Sequence, residues 1–180
     1  MTAGHLAAWM LLVAGTSAMA ADPRQAPPAE LVTEVSITPL AAQEATLRTT
    51  LAPTAAVISR SGPALELSYP VRLAFAPDEL DLLPAGMAML DLLAHSLKQY
   101  DYTGVVVAVY TDALGGADYN VQQSQARAAA VVDYLEKKGV DARRLTAKGA
   151  GESAPLEAPN TPEGRDLNRR LKVTITPLSS

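Results

Sequence analysis

The chain has 180 residues, 48% hydrophobic and 19% charged, a composition that favours one compact domain with a substantial core. It contains no cysteine, which excludes disulfides, thiol nucleophiles, thiolate metal sites and a cysteine-linked lipid anchor. The formal net charge is −4, and the locally basic residues 137–180, with 9 basic and 5 acidic side chains, include no aromatic residue, which argues against a nucleic-acid partner.

The first 20 residues have the features of a secretory signal peptide. They contain no Asp, Glu, Lys or Arg, and residues 6–13 form an apolar run. This run is short for a membrane span of ~20 residues. Ala18 and Ala20 supply the small-residue pattern of a cleavage site. We therefore expect residues 1–20 to be removed on export, with membrane association only if they are retained.

Residues 21–64 are rich in alanine, proline and threonine, which predicts a linker or an extra N-terminal strand segment. Residues 31–37 alternate enough to form a strand, and residues 41–49 are compatible with a helical turn or two. The main interpretation is a tether that precedes the folded domain.

Clearer periodicities begin at residue 65. Residues 65–75 alternate apolar and polar side chains around Pro70, which predicts one or two strands with Pro70 at an edge or a break. Residues 84–100 have the apolar spacing of one helix face. His95 points away from that face, so we expect a solvated histidine rather than a metal ligand.

Residues 105–127 form the stretch around which the chain is organised. Residues 105–109 are an apolar, β-branched run typical of a strand buried on both faces. Asp112 follows the strand, a glycine turn comes next, and an amphipathic helix starting at about Tyr119 carries Arg127. Asp112 and Arg127 can therefore face one groove, which suggests a site for a ligand that carries both charges.

The remaining elements complete a small α/β domain. Gly139 is expected to end the helix, residues 145–148 form a short strand, residues 149–162 form a loop, and residues 171–176 form a final alternating strand. The order β, α, β, α, β, β over residues 65–178 predicts a two-layer sandwich with a small mixed sheet.

A set of polar, glycine and small residues follows the order of a known family. Its members are Asp112, Gly115, Asn120, Ser124, Arg127, Ala128, Gly139, Gly149, Gly151, Asn160, Gly164, Arg165, Asn168, Arg169 and Arg170. In these residues the chain resembles the OmpA-like C-terminal domain family, from near Tyr69 to Pro177. The resemblance implies the βαβαββ sandwich of that family.

The resemblance also implies a function: a non-catalytic, cofactor-free module that binds peptidoglycan in the Gram-negative periplasm and anchors the envelope to the cell wall. In the family, the residues matching Asp112 and Arg127 hold the meso-diaminopimelate of the stem peptide. That residue presents an ammonium and a carboxylate at one side-chain terminus, which suits one anion and one cation placed close together. The alternative is that Asp112 and Arg127 only pair with each other.

Further candidate ligand-binding residues surround this pair. Tyr110 and Thr111 are expected to line the groove. Asn120 and Ser124 are also candidates, although at least one of them is expected to cap the helix start. No metal site is expected.

Arg169 and Arg170 are candidates for contacts with glycan or with a peptide carboxylate, because the matching family motif lies beside the ligand groove. The alternative is an ion-pair network with Asp166, Glu163 or Glu152.

Four positions depart from the family pattern. Ala76 follows Phe75 where the family often has aspartate or asparagine, and Val109 replaces a glycine. Tyr110 fills a histidine position, and Gln123 replaces a leucine. These departures suggest a weaker or altered ligand preference.

Two other classes of function remain open. A peptidoglycan hydrolase would use paired carboxylates such as Glu152 and Glu163. A structural adaptor would recruit another envelope protein through residues 22–63.

Overall fold

The computed structural model describes residues 31–77, 79–112, 114 and 116–178, with side chains from Leu40 onward, so the expected signal peptide at residues 1–20 lies outside the described residues. The elements in chain order are α1 (Leu31–Leu51), β1 (Val57–Ser61), β2 (Ala64–Pro70), α2 (Val71–Ala74), α3 (Pro84–Gln99), β3 (Thr103–Tyr110), α4 (Ala117–Lys137), a 3-10 turn (Ala142–Arg144), β4 (Leu145–Gly151), α5 (Pro162–Asn168) and β5 (Arg170–Pro177).

The described strands form one mixed sheet in the order β1-β2-β5-β3-β4. β3 and β4 are parallel, whereas the other neighbours are antiparallel. Alternate residues of the inner strands face the helices, so Leu67, Val173 and Val107 lie side by side in the core. Val106, on the opposite face, is 36% exposed, so the expectation that β3 is buried on both faces is wrong there. The predicted two-layer α/β class is confirmed.

The two long helices over the sheet confirm the periodicity that predicted them. α3 starts with proline in its first turn and buries a stripe that includes Leu90, Leu93 and Leu97, while His95 on the other side is exposed. α4 ends in a Schellman motif, in which Gly139 has a φ of +89°. The N–H of Gly139 donates to the carbonyl of Glu136 at 2.8 Å.

The N-terminal segment is the main correction to the sequence-based fold. Residues 31–51 form helix α1 rather than a strand followed by a helical turn or two. Leu40, Leu47 and Leu51 are at most 3% exposed and belong to the core. The linker expectation for residues 21–64 is therefore wrong from Leu40 onward, because an apolar side of α1 packs into the same core as the sheet.

An ion-pair cluster ties α1 to the edge strand β1. The Glu44 carboxylate accepts from Arg48 at 2.8 Å and from Arg60 at 2.9 Å. These two guanidinium groups, with the hydrogen bond from Arg48 as the largest cause, hold the pKa of Glu44 below its ordinary value. α1 and β1 thus belong to the domain, which begins before the expected boundary at residue 65.

Two short helices, α2 and α5, were not expected from the sequence. β2 ends at Pro70, as the proline suggested, and α2 follows in place of a second strand. α5 lies just past the expected loop, and Thr161 caps it by accepting a hydrogen bond from the N–H of Gly164 at 3.0 Å. Threonine followed by proline at the first helical position is a helix-start signal, so the start of α5 could have been predicted from the sequence.

Arg144 fixes the end of the molecule opposite the C-terminal end of β3. Its guanidinium donates to the carbonyls of Thr103, Leu97 and Tyr100 at 2.6, 2.7 and 2.9 Å. These carbonyls lie at the end of α3 and the start of β3, where no following residue of the helix is available to satisfy them. Within the described residues, no helix combines the length and the apolar character that crossing a membrane requires.

Candidate ligand-binding site

A cavity of about 260 Å³ lies where β3 ends and α4 begins. The loop between these two elements, the start of α2 and the residue before β5 complete its wall. The lining residues are Val71, Tyr110, Thr111, Asp112, Leu114, Tyr119, Asn120, Gln123, Arg127 and Arg169. Six of the eight residues predicted from the sequence as ligand-binding are therefore brought to one cavity, and Ser124 and Arg170 lie outside its lining.

Asp112 supplies the anionic side of the cavity. The residue is 8% exposed, and its Oδ2 atom accepts a hydrogen bond from Nη1 of Arg169 at 2.5 Å. Its backbone carbonyl accepts from Nδ2 of Asn120 at 3.3 Å, which links the strand end to the first turns of α4. Asp112 thus pairs with Arg169, across 57 positions of sequence, rather than with Arg127.

Arg127 supplies the cationic side and is 7% exposed. Among its contacts, Nε donates to the carbonyl of Glu79 at 3.2 Å, and Nη1 donates to Oε1 of Gln123 at 3.4 Å. The guanidinium carbon lies 5.5 Å from the centre of the Phe75 ring. These contacts hold the cation against the loop after α2, so its position is set before any ligand arrives.

Asn120 and Ser124 do not cap α4, whose N-cap is Gly116 without a side-chain hydrogen bond. Ser124 is fully buried, and its Oγ accepts from the N–H of Gly151 at 3.0 Å and donates to the carbonyl of Val121 at 2.9 Å. The Gly151 carbonyl in turn accepts from the N–H of Thr111 at 2.8 Å. Ser124 therefore connects α4 through β4 to the residue beside Asp112, which is a supporting role.

The other residues at the end of β3 differ in their surroundings. Thr111 is 7% exposed, and its Oγ1 atom has no hydrogen-bond partner among the described residues. Tyr110 lines the cavity, and its ring lies 3.8 Å from the guanidinium carbon of Arg170. A buried hydroxyl without a partner is costly unless something else satisfies it, so Thr111 offers the cavity a polar group.

The two consecutive arginines have different roles. Arg169 bridges Asp112 and Asp166, so the ion-pair network weighed from the sequence exists but also includes the site aspartate. Arg170 is 7% exposed and donates to the carbonyls of Ala154 and Asn168 at 2.9 and 3.2 Å. Burial lowers the pKa of Arg170, whose guanidinium serves to hold the loop after β4.

Several residues around the cavity were not selected from the sequence. Tyr119, Gln123 and Arg127 occur every four residues along one side of α4, and Nε2 of Gln123 donates to the hydroxyl of Tyr119 at 3.2 Å. That spacing was a usable signal once Arg127 was chosen. Glu152 and Glu163, the carboxylates considered for a hydrolase, are exposed and do not line the cavity.

Comparison with known proteins gives consistent relatives. The probable lipoprotein YiaD of Escherichia coli (strain K12) is 40% identical over 136 residues, or 76% of this chain and 62% of YiaD. The peptidoglycan-binding protein ArfA of Mycobacterium tuberculosis (strain ATCC 25618 / H37Rv) is 33% identical over 121 residues, or 64% of this chain and 37% of ArfA. The cell wall anchor of the T6SS from Pseudomonas aeruginosa matches with a TM-score of 0.65 and 25% identity, over 73% of this chain and 96% of that one.

The chain spans less than two thirds of the length of these two sequence relatives. The family model described as the OmpA family matches residues 74–169, a range that contains Asp112, Arg127 and Arg169. More than half of the chain, including every residue that lines the cavity except Val71, is thus matched by one family. The chain belongs to the OmpA family.

Proposed function

We propose that this protein is a non-catalytic periplasmic protein that binds peptidoglycan, recognises meso-diaminopimelate of the stem peptide and anchors the envelope to the cell wall. The observation that carries the proposal is that Asp112 and Arg127 line one cavity of about 260 Å³ with opposite charges. The binding and anchoring named for ArfA and for the T6SS anchor support the same function.

Burial of the two charged groups supports recognition of a zwitterion. Asp112 and Arg127 are each less than 10% exposed, so water competes weakly for their hydrogen bonds. Exposed ion pairs contribute only about 0–1 kcal/mol, whereas charge-assisted hydrogen bonds shielded from water are stronger. A ligand terminus that carries an ammonium and a carboxylate satisfies both groups, and a lysine side chain satisfies only the aspartate.

The pairing of Asp112 with Arg169 is compatible with this mode of binding. Arg169 occupies Oδ2, and among the described residues no partner is recorded for Oδ1. A carboxylate accepts several hydrogen bonds, so an ammonium can bind at Oδ1 while Arg169 keeps the carboxylate oriented. Oγ1 of Thr111 adds a neutral hydroxyl in the same wall.

The test is retention of purified variants on isolated sacculi that contain meso-diaminopimelate. We expect Asp112→Asn and Arg127→Ala to reduce retention to background, with Arg143→Ala as a control because Arg143 is exposed and lies away from the cavity. Thermal unfolding of each variant checks that the fold is intact. Folded variants that are retained like the unmodified protein would refute the proposal.

A second arm changes the ligand. Sacculi with lysine in place of diaminopimelate, or with an amidated diaminopimelate carboxylate, lack the charge that faces Arg127. Binding to both should be weaker by about tenfold, the equivalent of ~1.4 kcal/mol. Equal binding to all three walls would show that the zwitterion is not what is recognised.

The non-catalytic part of the proposal is tested with the same material. The cavity presents one carboxylate, guanidinium groups, hydroxyls and side-chain amides, and the carboxylate is already paired with Arg169. We expect no release of muropeptides after prolonged incubation with sacculi.

An envelope location is supported by the lipoprotein YiaD and by the outer membrane protein A of Bordetella avium, which is 36% identical over 98 residues.

A further inference from the structure

A second cavity adjoins the proposed diaminopimelate site. It also measures about 260 Å³, and its lining shares Val71, Arg127 and Arg169 with the first cavity. A ligand whose end lies between Asp112 and Arg127 can therefore continue past the two arginines into the second cavity.

The second cavity combines an apolar wall with positive charge. Phe75, Ala76 and Pro77 form the wall, and Arg72 stands at its edge. Among the described residues that line this cavity, none is acidic. The chemistry therefore fits an anion carried on a small apolar stem.

Arg72 is the cation that remains available there. Arg72 is exposed on α2, and its side chain makes no hydrogen bond or ion pair with any described residue. Arg169, by contrast, already pairs with Asp112 and Asp166. A carboxylate in the second cavity can form two parallel hydrogen bonds with the Arg72 guanidinium without displacing another carboxylate.

We propose that Arg72 and the wall formed by residues 75–77 are a second subsite, which binds a free carboxylate of the stem peptide next to the diaminopimelate. This inference rests on the proposed function. Two residues of the peptide carry such a group: the γ-linked glutamate before the diaminopimelate and the terminal alanine after it. In both, the carboxylate is on an α-carbon that also carries a short aliphatic group, the shared chemistry that the subsite recognises.

The test uses soluble muropeptides and isothermal titration at fixed ionic strength. The peptides are a tetrapeptide with both carboxylates free, the same peptide with the glutamate carboxylate amidated, and the same peptide with the terminal alanine amidated. We expect Arg72→Ala to weaken binding of the free tetrapeptide about fivefold, the effect of one partly exposed ion pair. Arg143→Ala, which removes another exposed guanidinium at the opposite end of the molecule, should have no effect.

The amidated peptides identify the source of the carboxylate. Suppose that amidating one of the two carboxylates lowers the affinity of the unmodified protein, and that Arg72→Ala does not lower the affinity for that amidated peptide further. That carboxylate is then the group that Arg72 binds. Equal effects of Arg72→Ala on all three peptides, or no effect on any, would overturn the second subsite. If Asp112→Asn abolishes binding while Arg72→Ala does not change it, only this inference fails; if Asp112→Asn binds normally, the proposed function fails as well.

Discussion

Replacing Ser124 by alanine should lower both stability and ligand binding. Ser124 is fully buried in α4, and its Oγ atom is the hydrogen-bond acceptor for the N–H of Gly151. Alanine removes the acceptor and leaves a buried N–H without a partner. The carbonyl of Gly151 also accepts a hydrogen bond from the N–H of Thr111, so displacement of Gly151 should also displace Thr111, the residue beside Asp112.

The size of the effect follows from this geometry. An orphaned buried donor costs about 1–3 kcal/mol. Alanine has a higher helix propensity than serine, which offsets about 0.5 kcal/mol of that loss. The net destabilisation should therefore be about 0.5–2.5 kcal/mol. The middle of that range, about 1.5 kcal/mol, moves the urea midpoint by roughly 1 M for a slope of ~1.5 kcal/mol/M.

Urea unfolding of Ser124→Ala and of Gln122→Ala provides the measurement. Gln122 is exposed on the same helix, so its replacement shows what an alanine costs there without loss of a buried contact. Amide hydrogen exchange should also show faster exchange at Gly151 in Ser124→Ala. A midpoint shift equal to that of Gln122→Ala, with unchanged exchange at Gly151, would refute the assigned role of Ser124.

Three further predictions concern stability. A Cβ on Gly149 would lie 2.6 Å from a backbone nitrogen of α4, so Gly149→Ala should cost about 1–3 kcal/mol and weaken sacculus binding, whereas Gly116→Ala, with open space around it, should be nearly neutral in thermal unfolding. Arg144→Ala should cost about 2–4 kcal/mol in urea unfolding, because three carbonyls lose the guanidinium donor and the carbonyl of Tyr100 keeps only the hydroxyl of Thr103. Arg143→Ala, which removes an exposed neighbour, should leave the urea midpoint nearly unchanged. The pKa of Glu44 is lower in the folded protein than its ordinary value. The ionised carboxylate therefore stabilises the fold above that ordinary pKa, and this stabilisation is lost as the pH falls through the pKa of the folded state. Glu44→Gln should consequently lose less thermal stability than the unmodified protein between neutral and acidic pH.

The elements with strong periodicity were predictable because each packs its apolar side chains against a single surface, the shared core. β3, α3 and α4 each bury one apolar set against the same core, and such patterns are visible within a single segment. The end of α4 was also predictable, since Gly139 adopts the positive φ that favours glycine. These local rules placed the strand that precedes Asp112 and the helix that carries Arg127.

α1 escaped prediction because its burial depends on distant partners. The positions it buries, Leu40, Gln43, Leu47 and Leu51, include a glutamine, and the segment also contains Pro39, a residue type that usually interrupts a helix. The helix nevertheless continues through Pro39. Packing against α3, with the ion pair between Glu44 and Arg60 of β1, overrides the weak local signal in this segment.

The cavity shows the same division between local and distant information. Asp112 and Arg127 lie in one cavity because strand end and helix start are neighbours in sequence. The pairing of Asp112 with Arg169, 57 residues away, depends on β5 lying next to β3 in the sheet, an adjacency that no local pattern encodes. For the same reason Arg169 and Arg170 could not be assigned separate roles from their sequence alone.

The position of β3 between β5 and β4 affects how the protein resists mechanical force. Asp112 follows the end of β3, so a tensile force applied there along the strand axis is opposed by the hydrogen bonds to both neighbouring strands at once, in shear. The same force on β1, which pairs with one described strand, would be opposed by the hydrogen bonds to that strand alone. A ligand held at Asp112 therefore pulls on a strand with two paired neighbours rather than on an edge strand.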